Sequence, residues 1–464
     1  MATPTTPIIA IASLAAVALA GCGTERRDDV SVGATPDSIH DDVDTVSAGN
    51  PHPDGDRERV EAIVDGVLVL PDGHYELDGY GTVLEVDGEQ ITPRYTTGST
   101  CTPGEPFDNA LDVDHVDDDG AVVTLDLAGS TTDYRLLPVQ PAEPCDTDAA
   151  ETLTALDELF ESHYPYFEAR GIDWPSELAT IRADADVMSI GDSLESFVQR
   201  LGDGHTGPED VDIVSLEQRF IAYADPTGGP DADIDSLVGV ELTATLDALE
   251  TVQFDPTGTV GWGHTSNGVG YLIIVGFEGA VDDDPRSSLL ALRAALDSAV
   301  TDLVAFDALV VDMRFNVGGY EDLALAAAGY FTDEPVAAYR KWPHAQPDPF
   351  VQTVSVRPAP VAYDGDVAVL VSPVTASAAE TFLLDIEAVT GGDATLVGAA
   401  SAGEFSDAID WRLPDGTEFT MSMEHYTTVD GVSYEAIGVP VDVEAPFDMA
   451  FATALDELAD RRAG

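Results

Sequence analysis

The chain has 464 residues, which at roughly 150 residues per domain is room for two or three domains. Acidic side chains number 87 against 19 basic ones, a formal charge of −68, yet 44% of the chain is hydrophobic and 41 residues are glycine. Such a chain can bury a core, and its field repels phosphate backbones and anionic headgroups, which excludes nucleic-acid binding.

Ile8 to Ala20 is an apolar run of Ile, Ala, Leu and Val with one Ser. It is too short to span a bilayer and has the length of a secretory h-region. It ends in Leu19-Ala20-Gly21-Cys22, which resembles a bacterial lipobox, although no Lys or Arg precedes the run. The reading is a lipoprotein signal peptide over 1–22 and a lipidated Cys22. The chain is then exported and anchored to the bacterial cell envelope, its sole membrane contact. Residues 23–57 are mostly Asp, Ser, Thr, Gly and Pro and read as an acidic, disordered tether.

Residues 58–149 carry short Val/Leu/Tyr/Thr runs broken by Asp-Gly, Pro-Asp-Gly and Pro-Gly. Gly66–Leu70, Thr82–Val86 and Ala121–Leu127 are such runs, and together they predict a small all-β module of hairpins. With Cys22 acylated, Cys101 and Cys145 remain as an even pair in an oxidising context, so a disulfide between them is expected. From 150 to 208 the period changes. Leu153, Leu156, Leu159 and Phe160, then Leu194, Phe197, Val198 and Leu201, fall at helical spacing.

From 209 to 464 strands alternate with helices, which is α/β layering. The predicted elements are strand Gly270–Val275, helix Ser287–Leu303, strand Ala308–Asp312, helix Glu321–Phe331, strand Asp366–Val371 and helix Ala378–Val389. No Cys-x-x-Cys or His-Glu-x-x-His spacing occurs, so neither a metal site nor another cofactor is expected.

Three constellations carry chemistry. Strand Asp366–Val371 runs through Ser372-Pro-Val-Thr-Ala-Ser377 into an apolar helix, which puts the Ser377 hydroxyl at a helix start. There the Ala378 N–H could hold an oxyanion, although Ser377-x-x-Glu380 also has the form of a simple capping box. Strand Ala308–Asp312 runs through Arg314 and Asn316 into Gly318-Gly319, where backbone can approach a ligand closely. Leu201-Gly202-Asp203-Gly204-His205-Thr206 closes the helical segment, with His264-Thr265 as a second His-Thr pair.

In this order, Asp-Gly-His-Thr, Asp-x-Arg-x-Asn-x-Gly-Gly and Thr-Ala-Ser-Ala-x-Glu resemble the tail-specific (C-terminal processing) serine peptidases and the core of tricorn protease. The resemblance runs from about Leu153 to the C-terminus. It implies an α/β (α+β) catalytic domain of the ClpP/crotonase-like type, with Ser377 as nucleophile and Gly318, Gly319 and Ala378 as the oxyanion hole. The lysine-dyad branch of that family carries its base in a Gly-x-Lys-Gly loop. Here the corresponding stretch is Gly398-Ala-Ala-Ser-Ala-Gly403-Glu404, and Lys341, the single lysine, stands in an Arg-Lys-Trp-Pro segment that reads as a polar loop. The tricorn-like branch pairs the serine with a His and an acid before Gly-Val-x-x-Asp, here His205 and Glu435. The resemblance thus implies a serine endopeptidase working through an acyl-enzyme on peptides or unfolded proteins, and the lipobox-like N-terminus adds export and a lipid anchor. Asp203 and Glu404 stand as alternative acids. The rival reading is an inactive relative that binds peptides or hydrophobic ligands in the same cleft. No PDZ pattern is evident between His205 and Gly270.

Overall fold

A computed structural model describes residues 63–64, 67–118, 122–140, 145, 148–185, 188–208, 214–225, 234–278, 284–346 and 349–463. The stretches read above as signal peptide and tether, with Cys22, therefore lie outside the described residues. No described helix is long and apolar enough to cross a membrane.

The main layer is a seven-stranded sheet. Its spatial order is Leu249–Phe254, Val260–Thr265, Gly270–Ile274, Ala308–Asp312, Asp366–Val371, Thr395–Gly398 and Val443–Glu444. The first three strands pair antiparallel and the remaining pairings are parallel. Ala308–Asp312 and all but the first residue of Asp366–Val371 are buried, as strands covered on both faces must be.

Strand periodicity sends alternate side chains to opposite faces. Leu272, Ile274, Leu309, Val311, Val369 and Val371 pack against helices Pro285–Leu303, Glu321–Ala328 and Ala378–Val389. Tyr271, Ile273, Val310, Ala368 and Leu370 pack on the other side, against Ile234–Asp247 and the C-terminal helix Ala450–Ala463. The result is a three-layer α/β/α sandwich.

The 150–208 segment forms three helices, Thr152–His163, Trp174–Asp184 and Ile190–Leu201. Their apolar faces join Trp411, Phe419 and Met421 of the hairpin 408–422, and Met423 just after it, in one cluster. The helix Ile190–Leu201 ends at Gly202 in the left-handed conformation (φ 64°), which turns the chain toward Asp203 and His205.

Residues from 63 to 139 form a ten-stranded antiparallel sheet. Cys101 and Cys145 are bonded across a sequence separation of 44, with Cα atoms 5.0 Å apart. The module is fastened to the α/β layer by polar contacts. Thr131 Oγ1 donates to Glu321 (2.7 Å), Thr132 Oγ1 to Asp407 (3.1 Å), and the Tyr80 hydroxyl to Glu424.

Residues between His205 and Gly270, where no PDZ pattern is evident in the sequence, include helices Val214–Ala224 and Ile234–Asp247 and the antiparallel edge of the main sheet. Two expectations are corrected. The helix after Gly319 stops at Ala328, followed by a 3₁₀ turn over Gly329–Phe331.

The second correction concerns Lys341, which the sequence reading places in a polar loop. It stands on strand Val336–Pro343, 1% exposed, with its Nζ 2.7 Å from Glu321, 2.6 Å from the Tyr426 hydroxyl and 3.4 Å from Asp407. Burial works against its charge, but Asp407, Glu321 and Glu424 outweigh that and raise its pKa above the usual lysine value.

Candidate active site

The carboxyl ends of neighbouring parallel strands are where open α/β sheets present loops to ligands. Here three such loops converge: 313–320 after Asp312, 372–377 after Val371, and 399–407 after Gly398. The first two are stitched together. Ser372 Oγ donates to the Arg314 carbonyl (2.7 Å) and Thr375 Oγ1 to the Met313 carbonyl (2.9 Å).

The Asp-x-Arg-x-Asn motif explains itself in these contacts. Arg314 is fully buried, held by Asp312 (2.7 Å) and by Glu241 (2.8 Å) from helix Ile234–Asp247. Asn316 Oδ1 accepts the Gly318 N–H at 2.9 Å, which folds the Gly-Gly turn. Gly318 and Gly319 have φ of 111° and 123°, a region that favours glycine. A Cβ on Gly318 would lie 2.6 Å from that of Ser377, and one on Gly319 would lie 2.2 Å from the Phe277 carbonyl carbon.

Ser377 is half-buried at the N-terminus of helix Ala378–Val389, with φ 55° and ψ −128°. Among the described residues, the non-glycine residues at positive φ are Ser377 and Ala436. Both border the 403–404 turn: the Ser377 N–H donates to the Glu404 carbonyl (3.1 Å) and the Ala436 N–H to that of Gly403 (2.8 Å). Such backbone costs on the order of 1–3 kcal/mol and persists where the surroundings enforce it.

Glu380 is one enforcer. Its carboxylate accepts from Ser401 Oγ (2.6 Å), the Gly403 N–H (2.7 Å), the Glu404 N–H (2.7 Å) and the Ser377 N–H (3.2 Å). Burial pushes Glu380 up to about 7 against the pull of those hydrogen bonds.

The three candidate oxyanion donors divide unequally. The Gly318 N–H is spent on Asn316, whereas those of Gly319 and Ala378 make no hydrogen bond among the described residues. Ala378 adds the first-turn position of its helix, where unpaired N–H groups and the dipole favour negative charge.

His205 reaches this region in a tight turn, 9% exposed. The turn is pinned from several sides. The Asp203 carboxylate accepts the His205 N–H (3.0 Å), Ser422 Oγ (3.0 Å) and the Tyr164 hydroxyl (2.7 Å). Gly207 exchanges two backbone bonds with Thr420, and the Gly204 N–H donates to Glu404 Oε2 at 3.0 Å. The imidazole Nδ1 is buried and has no hydrogen-bond partner among the described residues.

Glu435 is 4% exposed and accepts from the Phe405 N–H (2.8 Å), the Ser406 N–H (3.1 Å) and Arg170 (2.6 Å). It shapes the 405–406 turn and bonds neither Ser377 nor His205. Oxygens of Asp203, Glu404 and Glu435 lie within 4.8 Å of one another. A guanidinium stands where a cation would compensate them: Arg170 Nη2 is 2.8 Å from Glu404 and 2.6 Å from Glu435, and Nε is 3.5 Å from Asp203.

Titration follows from these contacts. Burial raises Glu435 well above the carboxylate range and raises Glu404 as well, against the pull of Arg170. For Asp203 burial acts upward too, but Arg170, the Tyr164 hydroxyl and His205 outweigh it and hold the group below its ordinary value.

Arg170, Tyr164 and the fourfold role of Glu380 are what sequence reasoning missed. Glu380 was visible only as a possible cap, and Arg170 stands in no motif; its sole signal is a base in an acid-rich chain. His264 lies apart, on strand Val260–Thr265, with its ring 4.9 Å from that of Phe306.

Residues 268–445 match peptidase family S41. The match contains Gly318, Gly319, Ser377, Ala378, Glu404 and Glu435, and leaves Arg170, Asp203 and His205 upstream of it. Among solved structures, a Parabacteroides merdae protein provisionally named a peptidase is similar at 17% identity and a TM-score of 0.52. That alignment covers 67% of this chain and 96% of the other, and supports the fold. Mature CPAF bound to lactacystin aligns at 12% identity over 67% of this chain and 97% of its own, with a TM-score of 0.47. The photosystem II D1 C-terminal processing protease aligns at 23% over 39% and 42%, with a TM-score of 0.32. With residues 268–445 matching peptidase family S41, the chain is a serine-type peptidase.

Proposed function

We propose that this peptidase is of the tricorn-like kind and cleaves peptides or unfolded proteins through an acyl-enzyme on Ser377, with His205 as general base. The imidazole takes the proton as Ser377 Oγ attacks the scissile carbonyl carbon, then delivers it to the departing amine as the C–N bond breaks. Water, deprotonated by the same imidazole, hydrolyses the ester. The N–H groups of Gly319 and Ala378 receive the oxyanion, while Gly318 supplies the clearance beside Ser377.

What carries this reading is the Ser377 backbone, at φ 55° on a helix N-terminus with a glycine pressed against its Cβ. A serine serving only as a helix cap has no need of that strain. Asp203, bonded to the His205 main chain, orients the base. Glu435 acts one step away, by holding Arg170 and the 405–406 turn. Of the acids that the resemblance offers, Asp203 thus takes the orienting part in this reading and Glu435 an indirect one.

The unpartnered His205 Nδ1 favours a second reading, a relative that binds peptides in the same cleft without cleaving them. Incubation with a denatured protein separates the two. Cleavage by the wild type, lost in Ser377→Ala and in His205→Ala, supports the peptidase mechanism; undiminished cleavage in Ser377→Ala overturns it. Binding of the same substrate without cleavage establishes the second reading.

For the chain as a whole we propose export and lipid anchoring through Cys22, which the Cys101–Cys145 bond supports, since disulfides persist outside reducing compartments. A ClpP/crotonase-like arrangement is proposed for the catalytic domain.

A further inference from the structure

Arg170 lies in the turn after helix Thr152–His163, and its side chain is 5% exposed. Its guanidinium reaches three separate stretches of chain. Nη1 donates to the Gly202 carbonyl, at the entrance to the His205 turn. Nη2 meets Glu404 (2.8 Å) and the Gly403 carbonyl (3.3 Å), in the turn whose carbonyl accepts the Ser377 N–H. The same nitrogen meets Glu435 at 2.6 Å.

From these contacts we infer that Arg170 is a positioning residue of the peptidase site, a clamp that fixes the His205 turn against the loop behind Ser377. The inference rests on the assignment of Ser377 and His205 as the reacting pair.

Two physical arguments support it. The first is geometric. One side chain bonded at once to the 202–205 turn, the 403–404 turn and Glu435 sets the spacing between the segments that present the base and back the nucleophile. A guanidinium can do this because its donors form a rigid, planar fork, whereas an ammonium is a point charge. Misplacement of reacting groups by about 1 Å costs on the order of 100-fold in rate.

The second argument is electrostatic. Asp203, Glu404 and Glu435 are each under 5% exposed, and among the described residues Arg170 is the one buried arginine or lysine paired with them; Arg219, 3.5 Å from Glu404, is 38% exposed. Without Arg170 these acids must take up protons or separate, and either change moves the turns they hold. Arg170 itself is too enclosed to recognise a substrate carboxylate, so its effect should fall on kcat.

The test compares the wild type with Arg170→Ala and Arg170→Lys in the intact protein. The readouts are peptide hydrolysis and the rate of fluorophosphonate labelling. Arg170→Ala is expected to lose about 100-fold in kcat with KM changed less than about threefold. Tens of millimolar guanidinium should restore at least about tenfold of that loss, and equal concentrations of sodium or methylammonium should not, because only guanidinium reproduces the fork.

Arg170→Lys, which keeps the charge, should still lose at least about tenfold, and it decides the matter if the alanine variant does not fold. A lysine variant within threefold of wild-type kcat, or a folded alanine variant that labels at the wild-type rate, overturns the inference. Failure of the wild type itself to label at Ser377 defeats instead the assignment on which it rests.

Discussion

A Cβ placed on Gly318 would stand 2.6 Å from the Cβ of Ser377, so the close approach of the Gly-Gly turn to this serine depends on glycine at that position. The φ of 111° imposes the same demand from the backbone side. Gly318→Ala should therefore move either Ser377 or the Gly319 N–H. The expected result is a loss of about 100-fold in kcat, with stability lowered by about 1–3 kcal/mol. Peptide hydrolysis and denaturant unfolding on the same preparation check both.

Lys341 gives a contrasting case. Its replacement by Met leaves Glu321 and Glu424 buried without their cation, and breaking a buried pair in this way costs about 3–5 kcal/mol. Chemistry at Ser377 has no use for this amine. Well below its lowered melting temperature, Lys341→Met should retain kcat within about threefold. A large loss of kcat in fully folded protein would show that the lysine takes part in the reaction.

Asp385 is buried with both carboxyl oxygens unpartnered, and burial, with the charge of Glu321, raises it well above the carboxylate range. A raised folded-state value means that the folded chain holds this proton more tightly than the unfolded one. The resulting stability is complete below the unfolded value near 4 and disappears as pH rises toward the folded one. Asp126, raised to about 9, and Asp322 and Glu424, each raised to about 7, act in the same direction. Stability should therefore fall between pH 5 and pH 9. Asp385→Asn should flatten that fall by about 1–3 kcal/mol while changing little at pH 5. Unfolding free energies at the two pH values check this.

A formal charge of −68 on 464 residues also opposes compaction by self-repulsion. Salt screens it, with a Debye length falling from about 10 Å at 0.1 M to about 3 Å at 1 M. Raising sodium chloride over that range should raise the melting temperature by about 5 °C or more, an effect of about 1–3 kcal/mol. A melting temperature indifferent to salt would mean that repulsion is negligible in the folded chain.

Part of this architecture was legible in the sequence. Strands such as Ala308–Asp312 and Asp366–Val371 are unbroken apolar runs, and the helix that follows Ser377 starts with a recognisable turn. Lys341 was misread because Arg-Lys-Trp-Pro looks polar as a string. Strand alternation turns Arg340 outward and Lys341 inward, toward acids contributed by other elements. The strands around 408–422 are short, mixed in polarity and stabilised by helices more than 200 residues earlier in the chain.

Arg170 meets Glu404 and Glu435 across 234 and 265 residues, a convergence that no local pattern encodes. The same limit applies to the acids. Sequence could nominate Asp203, Glu404 and Glu435, but which atoms each of them serves depends on three loops meeting at one sheet edge.

The most direct test of Ser377 as nucleophile is to map a fluorophosphonate adduct by peptide mass spectrometry. A single adduct on Ser377 is predicted, absent from Ser377→Ala and much slower to form in His205→Ala. An adduct that persists in Ser377→Ala, or none in folded wild-type protein that cleaves peptides, would contradict it.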